Sequence, residues 1–249
     1  MAIPGAAVIE RAGLKAWPGV EVCWDGAWVR RAANGHTQRA NSVQSLDPAD
    51  DGGVARRIAA ARRWYAERNL PAIFRITPLA PPALVAELDR QGWTTVSHSR
   101  LMAMELDTVE PEGHGAAVAV DDPGFLEAQR RLKGFSDEDL ARFRAILSAL
   151  EVPARGIVQY GTAGRIVSCA LMAVADGIVV TGSVVTDPAE RRKGYAAAML
   201  RTGLAWAKQA GATVAALNVE AGNGPALALY EGLGYRARYD YVYRYPGAP

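Results

Sequence analysis

The sequence predicts an α+β fold of two similar units, each a mixed, mainly antiparallel twisted sheet flanked by helices. Two observations support this prediction. In the second half, strand candidates follow one another across short turns, which favours an antiparallel meander. The end of the first half repeats the element order of the end of the second. The predicted units are residues 1–106 and 116–249, and the Pro-, Gly- and acid-containing stretch 107–115 is the predicted linker.

The composition is that of a globular chain and excludes several classes of protein. Of the 249 residues, 50% are hydrophobic and 22% are charged, which excludes a disordered or fibrous protein. The net charge of +2 gives no reason to expect a nucleic-acid partner. Two cysteines and three scattered histidines indicate neither a disulfide framework nor a metal site. Without a membrane-spanning apolar run or a signal-peptide pattern, we expect a soluble, cytoplasmic protein with no membrane partner.

The elements of the second unit follow from hydrophobic periodicity and turn residues. Its strand candidates are apolar or aromatic segments at 116–120, 156–160, 165–174, 178–186, 213–219 and 235–245. Its helix candidates lie at about 123–133, 137–151, 189–210 and 224–232. Ser136 followed by Asp139 is a capping-box pattern, and Gly211 is a typical helix-ending glycine.

The first unit shows the same order near its end and an internal match to the second. Its elements are central strands within 24–43, a helix at about 54–68, a strand at 72–77, a helix to about Gln91 and a strand at 93–106. At a separation of 142 residues, three pairs align: Leu88 with Tyr230, Gly92 with Gly234, and Trp93 with Tyr235. The match indicates a duplicated unit, although a helix followed by glycine and an aromatic strand is also common by chance.

One segment has the residue pattern of an anion site. It is a strand, a short loop and an Ala-rich helix, with an R-x-x-G-x-A pattern at the junction. A helix N-terminus offers free N–H groups and a positive dipole end, and a glycine there lets a bulky anion approach the backbone. The segment could therefore cradle a pyrophosphate, or it could be a solvated basic turn. The residues concerned are Arg191, Arg192, Lys193, Gly194, Tyr195 and Ala196.

A second segment places polar side chains at the end of the next strand. Asn218 and Glu220 lie at the carboxyl end of that strand, and Asn223 is positioned to cap the following helix. Tyr230 lies near the end of this helix, where its hydroxyl could reach a cleft between diverging strands. An ordinary core tyrosine is the alternative.

The two segments together resemble the GNAT superfamily of acyl-CoA-dependent N-acyltransferases. The R-x-x-G-x-A pattern is similar to the acetyl-CoA pyrophosphate motif of that family. The next family motif, N-x-x-A-x-x-x-Y-x-x-x-G-[FY], is matched by Asn223, Ala226, Tyr230, Gly234 and Tyr235. The resemblance covers residues 150–245 directly, and it implies acetyl-CoA as the cosubstrate.

The resemblance also implies roles for individual residues. The backbone of Val184, Val185 and Thr186 would pair with the pantetheine arm, as an added strand does at a sheet edge. The amides of residues 193–196 would hold the pyrophosphate, and Asn218 and Asn223 would lie beside the cofactor. Tyr230 would protonate the leaving CoA thiolate, because a phenol keeps its proton at neutral pH.

The general base stays open at this stage. The strand before the pyrophosphate loop reads IVVTGSVVT and has no carboxylate, although Thr181 or Ser183 could hold a water molecule. Glu220 is the candidate carboxylate, with a surface glutamate as the alternative.

The first unit resembles the N-terminal unit of tandem GNAT proteins, but it is degenerate, because it departs from the catalytic pattern. Asp47, Asp50 and Asp51 precede its helix and would repel a pyrophosphate, and Leu88 stands where the second unit has Tyr230. We therefore expect the first unit to complete the sheet and to wall the substrate cleft, without binding acetyl-CoA. Its candidate substrate-binding residues are Asn34, His36, Arg39 and Asn41, with solvated strand and turn positions as the alternative.

The expected function is transfer of an acetyl group from acetyl-CoA to the amine of a small molecule, by direct attack in a ternary complex. The alternatives are an acyltransferase that acts on a protein or peptide amine, and a non-catalytic acyl-CoA-binding regulatory module. The sequence does not identify the amine or the size of the acyl group, and it allows a monomer or a homodimer.

Overall fold

The computed structural model describes residues 2–106 and 114–247. It contains one mixed sheet of eleven strands. The strands are β1 (Glu21–Asp25), β2 (Trp28–Ala32), β3 (Val43–Ser45), β4 (Phe74–Ile76), β5 (Thr94–Glu105), β6 (Gly115–Val118), β7 (Ala154–Tyr160), β8 (Ile166–Ala175), β9 (Ile178–Thr186), β10 (Val214–Glu220) and β11 (Arg236–Tyr245). The helices are α1 (Ala6–Ala16), α2 (Val54–Ala66), α3 (Pro82–Arg90), α4 (Pro123–Lys133), α5 (Asp137–Ser148), α6 (Tyr195–Gln209) and α7 (Gly224–Gly232).

The strand order shows that the two halves of the chain share one sheet. The order is β1-β2-β3-β4-β11-β5-β10-β9-β8-β7-β6. The last strand of the chain, β11, therefore lies between β4 and β5, and β5, the last strand of the first half, lies between β11 and β10. Only the β3–β4 and β9–β10 pairs are parallel. The predicted α+β class and the mainly antiparallel sheet are confirmed, but the strands form one sheet instead of a separate sheet in each unit.

The internal match seen in the sequence is repeated in the backbone. Helices α3 and α7 have the same length and lie 142 residues apart. The glycine after each helix, Gly92 or Gly234, has a positive φ. The next amide, of Trp93 or Tyr235, donates a 3.0 Å hydrogen bond to the carbonyl oxygen five residues earlier. The C-terminal ends of α3 and α7 therefore have the same backbone structure, which is consistent with the predicted duplication.

The helices cover both faces of the sheet. Side chains alternate along β8, so Met172 packs with α6 while Leu171, its neighbour, packs with α4 and α5 on the other face. Ala173 lies on that second face with α1. Helices α6 and α7 therefore cover one face of the second half, and α1, α4 and α5 cover the other.

A buried ion pair connects α1 to strands from both halves of the chain. Glu10 on α1 pairs with Arg75 on β4, and both side chains are almost fully buried. Glu10 also accepts hydrogen bonds from the Gln44 amide (2.7 Å) and the Tyr239 hydroxyl (2.6 Å). Arg75 in turn donates to the Asn218 side-chain oxygen at 3.2 Å. Strands from both halves are therefore connected through one carboxylate.

Several predicted boundaries are corrected by the structure. The helix predicted from 189 begins at Tyr195, because Pro188–Glu190 forms a separate 3-10 turn and Gly194 adopts the left-handed conformation. Helix α5 ends at Ser148 instead of residue 151, and the strand predicted at 116–120 is Gly115–Val118. Helix α1 was not predicted. Most of the predicted linker, residues 107–113, lies outside the described residues. Over the described ranges, no helix is both long and apolar enough to cross a bilayer.

Candidate active site

The sheet splits between its two central parallel strands. β9 and β10 are paired from Ile178, opposite Val214, to Thr181, opposite Leu217. Beyond this point β10 stays paired with β5, and β9 stays paired with β8 across one register shift. Residues 182–186 of β9 and 218–220 of β10 therefore line the two sides of an opening, and the edge of β9 that faces it can pair with a ligand.

A bulge shapes β9 at the start of this opening. Ser183 and Val184 stand opposite the single residue Ala170 of β8, and Ser183 has φ +53°. Gln129 of α4, fully buried, holds the bulge with two hydrogen bonds of 3.0 Å: its amide donates to the Ser183 carbonyl and its oxygen accepts from the Ser183 hydroxyl. Gln129 was missed by the sequence analysis; its only signal is a glutamine on the apolar side of a helix.

The helix that follows β9 begins without a side-chain cap. Gly194 is the N-cap of α6, with φ +83°, and it has no side chain that could bond to the first-turn amides. Lys193 pairs with Glu190 at 2.9 Å, and Arg131 and Arg165 pair with the loop residue Asp187. The acidic groups of the loop are thus paired with cations, which leaves the amides of the first turn available to an anion.

A cleft of about 400 Å³ occupies the opening between β9 and β10. Its size is suited to a small molecule. Side chains from both halves of the chain line it: Thr37, Gln38, Arg39, Ser99, Lys133, Thr181, Gly182, Ser183, Val184, Asn218, Val219, Glu220, Asn223, Tyr241 and Tyr243.

A second depression lies beside the start of α6. It has a volume of about 660 Å³ and is lined in part by Gly161, Lys193, Gly194 and Tyr195. The predicted pyrophosphate loop therefore borders a space of its own, separate from the cleft between the strands.

The polar residues at the end of β10 hold defined positions. The Asn223 side chain accepts from the Ala226 amide at 3.2 Å, so the predicted cap of α7 is present. The side-chain oxygen of Asn218 is fixed by Arg75, as described above. Glu220 is exposed at the end of its strand and lines the cleft.

Tyr230 lies in the core beneath the split. Only 6% of its surface is exposed, and it packs among the residues between α6, α7 and the sheet. Its ring meets that of Tyr235 edge to face at 6.0 Å. Burial raises the pKa of Tyr230 to about 12, so the phenol holds its proton throughout the neutral range. Tyr230 is not among the side chains that line the cleft.

The structure separates the four candidate residues of the first half. Arg39 lines the cleft, with its guanidinium 4.8 Å from the ring centre of Trp17. Asn41 is buried and spans its own loop, accepting from the amides of residues 33 and 35 and donating to the carbonyls of residues 36 and 37. His36 lies among aromatic rings, and burial lowers its pKa. Asn34 is exposed. Arg39 is therefore the one of the four that the structure brings to the cleft.

The corresponding helix start in the first half differs in its charges. Gly53 caps α2 in the same left-handed conformation as Gly194, with φ +66°. Asp50 in this loop is held by Arg57 at 2.9 Å and by the Ala27 amide at 2.7 Å, and these bonds lower its pKa. Leu88 is fully buried.

No group of three or more His, Cys, Asp or Glu side chains within residues 2–106 and 114–247 is arranged to hold a metal ion. The cleft and the helix start therefore offer polar and backbone groups for binding. Both lie at the carboxyl end of β9.

A mixed sheet that splits at a bulged strand, with a glycine-capped helix after the next loop, is typical of the GNAT class. A family model described as "Probable histone acetyltransferase Rv0428c C-terminal" matches residues 7–245. The chain therefore belongs to this family of GNAT N-acetyltransferases.

Full-length relatives agree with this assignment. The uncharacterized N-acetyltransferase YobR of Bacillus subtilis is 25% identical, over 95% of this chain and 96% of its own. A GCN5-related N-acetyltransferase from Kribbella flavida superposes with a TM-score of 0.72 at 24% identity, covering 99% of this chain and 98% of its own. A tandem GNAT protein from the clavulanic acid biosynthesis pathway shares the fold, with a TM-score of 0.63 at 12% identity, over 84% of this chain and 76% of its own.

Proposed function

We propose that the protein transfers an acetyl group from acetyl-CoA to the amine of a small molecule. The observation that carries this proposal is the open edge of β9 over residues 182–186, which leads directly to the uncapped start of α6. A ligand with an amide-bearing arm and a pyrophosphate fits this pair of features, because one needs a strand edge and the other an array of free N–H groups.

The residues around these features suit acetyl-CoA. The backbone of Val184, Val185 and Thr186 would hold the pantetheine arm. The amides of residues 193–196 would hold the pyrophosphate, with Arg191 and Arg192 exposed beside them. Asn218 and Asn223 stand across the opening, at the end of β10.

The chemistry is direct transfer in a ternary complex. The neutral amine attacks the thioester carbonyl and a C–N bond forms. The C–S bond then breaks to release the CoA thiolate, and the nitrogen of the new amide loses its extra proton to solvent. Tyr230 would give its proton to that thiolate. Because an amine is mostly protonated at neutral pH, a base must first remove a proton from it, and Glu220, exposed in the cleft, is the candidate.

The test is a titration with acetyl-CoA followed by measurement of thiol release across a panel of amines. We expect saturable binding of acetyl-CoA and release of CoA that depends on the amine. Binding without release for every amine would favour the non-catalytic acyl-CoA-binding module.

A second candidate acceptor is a lysine side chain of a protein or peptide. The family description, which names a probable histone acetyltransferase, favours it. Lysine-containing peptides therefore belong in the same panel, and a marked preference for them over small amines would select this function.

A further inference from the structure

The cleft between β9 and β10 has an unusual charge for a site that accepts an amine. Two of its three charged lining residues are cations, Arg39 and Lys133, and the third is Glu220. An ammonium ion is repelled by cations, so a site selective for simple amines or basic peptides would carry the opposite charge. Binding of an amine therefore does not account for the two cations of the cleft.

Neither cation forms an ion pair within the part of the chain that the structure describes. Across the described parts of the chain, no carboxylate lies within ion-pair distance of the Arg39 guanidinium or the Lys133 ammonium group. Arg39 instead packs over Trp17, and Lys133 lies 5.9 Å from the ring centre of Phe135. By contrast, Lys193 of the pyrophosphate loop is paired with Glu190 at 2.9 Å.

The position of Arg39 is built into the fold. Gly182, at the start of the β9 bulge, is so close to Arg39 that a Cβ on it would lie 3.1 Å from the guanidinium. The same Cβ would lie 3.5 Å from the Trp17 ring. The Arg39 side chain, from the first half of the chain, therefore places a positive charge where β9 and β10 separate.

The two cations lie away from the predicted pyrophosphate site. Lys133 is the last residue of α4, and α4 covers the face of the sheet opposite α6. Asn218 and Glu220 alternate with Leu217 and Val219, which pack toward α6 and α7, so they too point to the α4 face. The cations and Glu220 thus share the side of the split that the acetyl-CoA loop does not use.

We propose that the acceptor is a small amine that also carries a carboxylate, which Arg39 and Lys133 bind. This inference rests on the proposed function and names the substrate class of the same cleft. The guanidinium fork can take both carboxylate oxygens, and the ammonium group adds a point charge. Glu220, the remaining charged residue of the cleft, faces the amine.

The environment of Lys133 is consistent with this assignment. Loss of hydration lowers its pKa, and the nearby charge of Arg39 lowers it further. An anion bound between the two side chains would offset the repulsion between them, so the charges of the cleft favour binding of a carboxylate.

The experiment compares matched acceptors on the whole protein. Thiol release is measured with pairs of amines that differ only in bearing a carboxylate or a carboxamide, and with a lysine-containing peptide. We expect the carboxylate member to have a kcat/KM about 10- to 100-fold higher, the range for hydrogen bonds to charged groups. Arg39→Gln and Lys133→Gln should reduce this preference mainly through KM, while the affinity for acetyl-CoA, measured by calorimetry, stays the same.

Two further variants keep the test independent of folding. Lys133 is the last residue of α4, so Lys133→Gln should fold even if a change at Arg39 disturbs Trp17. Lys15→Gln removes a positive charge outside the cleft, where Lys15 pairs with Asp176 at 2.8 Å, and should leave the preference intact.

The outcomes separate the two proposals. Equal use of carboxylate and carboxamide, or a preference for the peptide, overturns the inference and leaves acetyl transfer standing. An unchanged preference in both cleft variants also overturns it. Failure to bind acetyl-CoA and to release CoA with any amine removes the proposed function itself and the inference with it.

Discussion

Ser99 of β5 and Tyr241 of β11 face each other across two antiparallel strands, and they are 142 residues apart, the separation at which the two halves of the sequence match. The same separation, 142 residues, joins His98 and Asp240, whose side chains meet at 2.9 Å. A local two-fold axis therefore passes between Ser99 and Tyr241. Both residues also line the cleft, so this local axis runs beside the candidate active site.

Separated halves should not fold on their own. We propose residues 1–106 and 116–249 as the two units. The last strand of the first unit, β5, lies between two strands of the second, and the last strand of the second unit, β11, lies between two strands of the first. Each unit alone would therefore expose unpaired strand edges. Fragments 1–106 and 107–249 should aggregate when expressed singly and assemble when expressed together. Circular dichroism and gel filtration would show this, and a stably folded single fragment would contradict it.

Gly194→Glu should abolish binding of acetyl-CoA. The new carboxylate would stand at the first-turn amides of α6 and oppose the pyrophosphate charge. Gly211→Glu is the matched control, because Gly211 follows the other end of α6, also has a positive φ, and also has no atom within 4 Å of an added Cβ. Calorimetry should find binding lost in the first variant and kept in the second. Micromolar affinity in Gly194→Glu would refute the assignment of this loop.

One acetyl-CoA should bind per chain, in the second half. The loop before α2 carries Asp47, Asp50 and Asp51. Of these three carboxylates, Arg57 forms hydrogen bonds only with that of Asp50. The loop before α6 instead carries Arg191 and Arg192. A calorimetric stoichiometry near one is expected, and two equivalent sites would be incompatible with this asymmetry.

Tyr230→Phe should lower kcat and leave the affinity for acetyl-CoA near the wild-type value. A proton donated to the leaving thiolate acts chiefly in the transition state. Because a thiolate leaves easily, we expect a loss of about 100-fold or less, the low end for general acids. The control is Tyr235→Phe, which removes the hydroxyl of the neighbouring buried ring and should leave kcat unchanged.

Rates must be measured with the true acceptor and with chemistry rate-limiting. A Leu88→Tyr variant adds an internal test: the tyrosine should create no second site, because the loop of the first half lacks the basic residues. An unchanged kcat in Tyr230→Phe would assign this residue to core packing.

Arg75→Met should destabilise the protein by about 3–5 kcal/mol, because it leaves the buried Glu10 carboxylate without its partner. Glu10→Gln combined with Arg75→Met should cost less than Arg75→Met alone. Urea unfolding of the single and double variants would measure both effects. Equal stability of wild type and Arg75→Met would contradict the role of this pair.

The same pair predicts a dependence of stability on pH. Burial by itself raises the pKa of Glu10, but Arg75, with Tyr239 and Gln44 donating, brings it below the ordinary value of 4.5. The folded state therefore gains stability from this group above pH 4.5 and loses it as the pH falls through the lowered pKa. This loss on acidification should be smaller in the double variant, which lacks the carboxylate.

The sequence predicted what depends on local pattern. The R-x-x-G-x-A segment, the Asn223 cap and the repeat around Gly92 and Gly234 are set by neighbouring residues, and the structure shows the same cap and turns. The start of α6 was misplaced, because the left-handed backbone at Arg192 and Gly194 does not follow from hydrophobic periodicity.

Long-range relationships could not be read in this way. The insertion of β11 between β4 and β5 depends on pairing across more than a hundred residues, which leaves no local signal. The approach of Arg39 to Gly182 depends on the same arrangement. The charge of the cleft therefore became visible only when both halves were assembled.

The central position of β11 also bears on how the chain is made. During synthesis, β4 and β5 leave the ribosome long before β11, the strand that lies between them, so the sheet of the first half cannot be completed until β11 has been made. The two halves therefore fold as one unit. Because many contacts of the sheet join residues that are far apart in the chain, we expect folding to be slow. A nascent chain stopped before β11 would carry two exposed strand edges, the surfaces that molecular chaperones protect.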